Sequence, residues 1–173
     1  MLRFDQLFEQ EKDFKVDTKR FRNLAPTNLI DETVKNLKQN KFDVTVVDDA
    51  QAALEFLEKN IPENVTLMSG GSVTLDEIGF KNYQFTTDKF KNLHADILKE
   101  KDPLKADYLR RKALSADYFL SSVSAISKDG KLFVVDASGT RCGGFLTAAK
   151  KFKVAVGGMN RTHILIIKKV LGY

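Results

Sequence analysis

The chain has no tryptophan, one cysteine, three prolines and two histidines in 173 residues. A single cysteine, Cys142, cannot form an intrachain disulfide, which excludes a secreted disulfide framework. His94 and His163 stand apart from each other and from Cys142, so neither a metal-ligand spacing nor a Cys/His nucleophile pair is spelled. Long apolar runs are missing too. The longest, Val154-Ala155-Val156 and Ile164 to Ile167, are far too short to cross a bilayer. Met1-Leu2-Arg3-Phe4-Asp5 leads into a charged stretch without a signal-peptide core. These absences point to a cytoplasmic protein.

The composition that remains is that of a globular domain. Hydrophobic residues make up 43% and charged residues 29%, so one domain over residues 1–173 is expected, with 1–25 as a polar lead-in. Thirteen phenylalanines make its core aromatic-rich. The net charge of +5 suits a solvated surface or a patch for small anions. Arg110-Arg111-Lys112 and Lys150-Lys151 with Lys153 read as wet helix faces. They lack the interleaved aromatics of a nucleic-acid stripe, and no nucleic-acid partner is expected.

Periodicity divides the chain into alternating elements. After a lead-in with helical character from Phe4 to Phe14, Pro26-Thr27-Asn28 starts a helix. Ile30, Val34 and Leu37 form one face of it, and Asn40 stops it. Phe42 to Val46 alternates as a strand. Asp48 or Asp49 caps a helix that ends at Pro62, and Val65 to Met68 is a short buried strand. It runs into Ser69-Gly70-Gly71-Ser72 and a helix over about 73–78. A strand is expected at Tyr83 to Phe85, and Asp102-Pro103 opens another helix. Strands over 118–126 and 132–135 flank Asp129-Gly130, a hairpin dipeptide. A small-residue helix to about Ala149 and a strand at 154–156 follow. The segment from Ile164 to Leu171 fits either helix or strand. Helices between strands predict an α/β fold with a mostly parallel sheet and one antiparallel hairpin.

Ligands of such sheets sit beyond the carboxyl ends of the strands, where three segments carry chemistry. In Ser69-Gly70-Gly71-Ser72-Val73-Thr74, glycines bare the backbone N–H groups and hydroxyls flank them, which suits a phosphate or carboxylate. The alternative is a plain strand-to-helix turn. It matches neither a Walker loop nor a dinucleotide fingerprint. In Asp136-Ala137-Ser138-Gly139-Thr140-Arg141, Arg141 either grips an anion or lies on the surface, and Asp136 is either an acid/base group or a helix cap. In Gly157-Gly158-Met159-Asn160-Arg161, Asn160 is a cap or a ligand contact. Glu77 is an acid/base candidate or the partner of Thr74 in a capping box.

Four blocks in order carry a resemblance to a known family. Gly70-Gly71-Ser72-Val73-Thr74-Leu75-Asp76-Glu77-Ile78-Gly79 resembles the Gly-Gly-Ser-x-Thr-Leu-x-Glu-x-Gly signature of LUD domains, the lactate-utilisation protein C-like family. Ala116 to Ile126, ending in Asp129-Gly130, is similar to its Ala-Asp-x-Phe-Leu-x-Ser-x-x-Ala-Ile segment. Val135 to Arg141 resembles Val-Asp-x-x-Gly-Asn-Arg, and Val156 to Arg161 resembles Val-Gly-x-Asn-Lys. Thr140 replaces the usual Asn, and Arg161 the usual Lys. The resemblance covers roughly residues 27–165.

It implies a three-layer α/β/α sandwich of the ribose-5-phosphate isomerase, glucosamine-6-phosphate deaminase and CoA-transferase type. It also implies a role in L-lactate oxidation beside iron–sulfur partner subunits. With one cysteine, the chain is expected to hold no iron–sulfur centre or other cofactor itself. The expectation is a small carboxylate or phosphate bound by Ser69, Gly70, Gly71, Ser72, Thr74, Ser138, Gly139, Arg141 and Asn160. Glu77 and Asp136 are the candidate acid/base groups, for proton transfer beside a carbonyl or hydroxyl. Two other readings stand beside it: a non-enzymatic sensor or scaffold subunit, and a sugar-phosphate isomerase-like enzyme. Homo-oligomerisation is compatible with all three.

Overall fold

The computed structural model describes residues 23–136, 139–147 and 162–171. Helix α1, Thr27–Gln39, buries Ile30 and Leu37 on one face and ends at Asn40, where Lys41 turns left-handed (φ 66°). Strand β1, Asp43–Val47, pairs in parallel with β7, His163–Ile167, in the register Asp43 to His163 through Val47 to Ile167. The last segment is therefore a strand, the outcome its β-branched run favours once a parallel partner is present. Of the two candidate caps for helix α2, Ala50–Asn60, Asp49 does the work: its carboxylate accepts the Ala52 N–H at 2.9 Å. Asp48 instead pairs with Lys168 beside β7.

Strand β2, Thr66–Ser69, is central to the second sheet, between β3, Lys91–Asn92, and β4, Tyr118–Leu120, all parallel. Helix α3, Val73–Glu77, and helix α4, Phe80–Thr86, follow β2. Helix α5, Leu93–Lys99, follows β3 directly. Helix α6, Pro103–Lys112, starts as its Asp-Pro opening predicts: the Asp102 carboxylate accepts the Leu104 and Lys105 N–H groups. A 3₁₀ turn, Ala113–Ser115, leads into β4.

The alternation of β2 and β4 puts helices on both faces of this sheet. Leu67 faces a cluster of Ala53, Ile61, Ile78, Phe80 and Phe90, against which Tyr118 and Leu120 also pack. Met68 faces Ile97, Ala113 and Ala116 on the opposite side, joined by Phe119. Among the described residues, the chain is thus a mixed α/β protein with mostly parallel strands, consistent with an α/β/α sandwich.

Three sequence expectations change. Tyr83 to Phe85 is part of α4, not a strand: Phe80 and Gln84 are buried while Asn82 between them is exposed, a pattern that a helix gives and a strand, with every second residue on one face, does not. The expected strand over 118–126 breaks after Leu120, and Ala125–Ile126 (β5) pairs instead with Leu132–Phe133 (β6) in an antiparallel hairpin. That hairpin turns on Gly130, at φ 78°, whose N–H donates to Ser127 O at 2.9 Å. Asp129 keeps a negative φ, so the turn is a longer loop closed by one left-handed glycine rather than a two-residue connection. Helix α7, Thr140–Thr147, opens where the small-residue helix was expected. The segments Phe4 to Phe14 and Val154 to Val156, and the Gly157-to-Arg161 block, lie outside the described residues.

Candidate functional site

The ends of β2 and β4 hold the glycine loop by close backbone contact. The Gly70 N–H donates to Leu120 O at 2.9 Å, extending the parallel pairing past Ser69. A Cβ on Gly70 would lie 3.0 Å from Ser121 Oγ and 3.5 Å from the Phe119 ring, so glycine is what lets the strands meet there. Gly71 differs: among the described residues, nothing lies within 4 Å of the place its Cβ would take. Among the described residues, the space over Gly71 is open.

Ser72 is the cap of α3. Its hydroxyl accepts the Leu75 N–H at 3.2 Å and donates to Ser122 Oγ at 3.1 Å, locking the loop to the end of β4. This settles the capping-box question: Ser72 caps α3, so Thr74 and Glu77 do not form a box. Thr74 is half-buried in the first turn, and Glu77 is exposed at the helix end. The neighbouring Asp76 pairs with Lys81 at 3.1 Å.

The segment after β6 completes the arrangement. The Asp136 carboxylate accepts the Arg141 and Cys142 N–H groups at 2.7 and 3.0 Å, which fixes the start of α7. The Arg141 guanidinium reaches back across the site. Its Nη2 donates to Gly71 O at 2.7 Å and its Nη1 to Val135 O at 3.2 Å, so one side chain ties the glycine loop to the β6 exit. Guanidinium carries five N–H donors, and each terminal nitrogen keeps one beyond these bonds. Arg141 Nε is buried and unpartnered among the described residues. Gly139, at φ 75°, likewise has nothing among the described residues within 4 Å of the place its Cβ would take. Ser69, Gly70, Gly71, Ser72, Asp136, Gly139 and Arg141 thus converge at the strand ends. Ser138 and Asn160 lie outside the described residues.

Ser69 turns away from that open space. It is 3% exposed, and its hydroxyl donates to Gln84 Oε1 at 2.9 Å and meets His94 Nδ1 at 3.1 Å. Gln84 Nε2 in turn donates to Asn92 Oδ1 at 2.9 Å, while Asn92 Nδ2 donates to Gln84 O at 2.9 Å. Burial, and then the Lys81 and Arg110 charges, hold the His94 imidazole below its ordinary pKa. Sequence reasoning missed this network because Gln84, Asn92 and His94 come from separate elements. The one local signal was Asn92 as a helix cap, which accepts the Ala95 N–H at 3.2 Å.

A family model described as LUD domain matches residues 30–162, from α1 to the residue before β7. The chain belongs to the LUD-domain family. LUD domains are associated with lactate-utilisation proteins. Every site residue placed above falls within the matched span of this LUD domain. No curated protein and no solved structure matches the chain. Among the described residues no helix is long and apolar enough to cross a membrane, and no cluster of His, Cys, Asp and Glu is placed to hold a metal.

Proposed function

We propose that this LUD domain binds a small carboxylate or phosphate over the Ser69-to-Thr74 loop and serves L-lactate utilisation in the cytoplasm beside iron–sulfur partner subunits. The observation that carries the reading is the Arg141 side chain bonded to Gly71 O at 2.7 Å, with nothing among the described residues within 4 Å of the place a Gly71 Cβ would take. A fixed guanidinium with N–H donors to spare, beside a glycine backbone that no described side chain covers, attracts an anion and offers it directed hydrogen bonds. The sandwich of the isomerase and CoA-transferase type belongs to the same proposal, since it puts ligands at these strand ends.

Binding is favoured over acid–base catalysis by Asp136. One of its carboxylate oxygens already accepts two backbone N–H groups, at 2.7 and 3.0 Å, and a proton there would cost the α7 cap. Glu77 remains the acid to test for turnover, by Glu77→Gln in lactate-dependent growth. Calorimetric titration with inorganic phosphate tests binding. Arg141→Met, checked for folding by circular dichroism, is expected to weaken phosphate by roughly tenfold or more, the worth of one charged hydrogen bond. Unchanged affinity in a folded variant would remove Arg141 from the site and the reading with it.

A further inference from the structure

A second pocket opens at the other end of the same sheet. The glycine loop leaves the carboxyl end of β2, whereas this pocket lies at the amino ends of β2 and β3, between the start of α5 and the end of α6. Much of its wall is apolar. Leu93 and Leu109 pack into the Met68 and Ile97 cluster, and the residues that close this cluster after α6, Ala113 and Ala116, are too short to fill the space beside them. The result is a cavity of about 250 Å3. At roughly 30 Å3 per water it has room for about eight waters, or for a molecule of about that many non-hydrogen atoms.

The polar groups of the wall divide into spent and unspent. The Thr66 hydroxyl donates to Asp117 Oδ2 at 2.7 Å and accepts the Asp117 N–H at 2.9 Å, and the Ser115 hydroxyl donates to Lys112 O at 2.8 Å. The side chains of Lys91, Asp96 and Lys112 make no hydrogen bond or ion pair among the described residues. Asp96 is half-buried and both lysines are exposed. Two ammonium groups and a carboxylate thus line one pocket without pairing with each other. Opposite charges held apart around an apolar wall suit a ligand that carries both signs and an apolar body, since a few placed polar groups orient what the apolar surface holds.

We infer that this pocket binds a small zwitterion with an apolar side chain, of the class of a free α-amino acid with a branched aliphatic side chain. Its ammonium faces Asp96, its carboxylate faces Lys91 and Lys112, and its side chain lies against Leu93, Leu109 and the two alanines. Among the described residues, the wall shares nothing with the glycine loop or with α7, so the site is separate from the one that takes the anion.

Backbone amide spectra of the wild-type protein test this with four probes titrated in turn. L-leucine carries all three features, isocaproate lacks the ammonium, isoamylamine lacks the carboxylate, and L-alanine lacks most of the apolar body. L-leucine is expected to shift the Leu93, Asp96, Lys112 and Ala113 amides along one saturable curve. Isocaproate and isoamylamine bind more weakly, each by roughly two- to fivefold, the worth of one exposed charge contact. L-alanine binds more weakly by roughly tenfold or more, for the carbons it does not bury. Asp96→Asn, checked for folding by circular dichroism, weakens L-leucine without weakening isocaproate, whereas Lys91→Met with Lys112→Met weakens both. Isocaproate binding as tightly as L-leucine overturns the inference, as does an L-leucine curve that Asp96→Asn leaves in place. L-leucine that leaves these amides unmoved overturns it outright.

Discussion

Replacing Gly130 by alanine should cost about 3 kcal/mol, for reasons that can be added up from the turn outward. At φ 78° an L side chain is strained by about 1–2 kcal/mol. The new Cβ would also sit 2.8 Å from the Asn36 carbonyl carbon and 2.8 Å from the Leu37 nitrogen, backbone atoms of α1 that cannot swing aside. The hairpin must lift off the helix. Lifting loosens Asn36 Nδ2 to Lys128 O (2.8 Å) and the Asn40 Nδ2 contacts to Asp129 O and Gly130 O (both 3.0 Å). Such bonds are worth roughly 0.5–1.5 kcal/mol each when intact, less here because they are partly solvated. For a chain of this size the sum lowers Tm by roughly 6–12 °C. Thermal unfolding followed by circular dichroism reads it, with Gly71→Ala as the control. Gly71 has no positive φ and, among the described residues, nothing within 4 Å of its Cβ position, so its change should move Tm by roughly 1 °C or less. A Gly130→Ala protein that unfolds within about 1 °C of wild type would refute the reasoning.

Two further outcomes follow from the site. Asp136→Ala removes the acceptor of two backbone N–H groups and should cost about 1–2 kcal/mol in chemical denaturation, whereas Asp136→Asn keeps an acceptor oxygen and should cost less than half of that; equal losses would mean that the charge, not the cap, matters. His94 and His163 are both held below the ordinary 6.5, each first by burial; Lys81 and Arg110 add to this at His94, and Asp43 opposes it at His163. The unfolded chain then takes up protons that the folded one refuses, so stability falls as pH drops below about 6.5 and is flat above it as far as these groups act. Tm measured from pH 7.5 down to 5.5 should decline, and His94→Gln with His163→Gln should flatten the decline; an unchanged slope in the double variant would contradict the account.

Local chemistry made much of the fold readable. Asp102-Pro103 and Asp49 start their helices through bonds within three residues, so their signals survive any tertiary context. Val65 to Met68 reads as a buried strand because it is covered on both faces, and the glycine run after it marks the strand end. The errors arose where context decides. Tyr83 and Phe85 alternate like strand residues, but the partners of Phe80, Tyr83 and Gln84 lie on one side of a helix. The 118–126 run was apolar enough for one strand, yet Ser121 and Ser122 leave the sheet to meet the glycine loop. The site was legible in part for the same reason. Backbone-baring glycines and Arg141 announce themselves by residue type, while the Ser69, Gln84, Asn92 and His94 network exists only through contacts between separate elements.

The central claim is that the loop after β2 holds an anion with the help of Arg141. Amide spectra of the wild-type protein recorded along a titration with inorganic phosphate test it most directly. The account predicts saturable shifts of the Gly70, Gly71 and Ser72 amides and of the Arg141 side-chain N–H groups, all following one binding curve. Saturable shifts confined to other residues, with this loop and Arg141 unmoved, would contradict it.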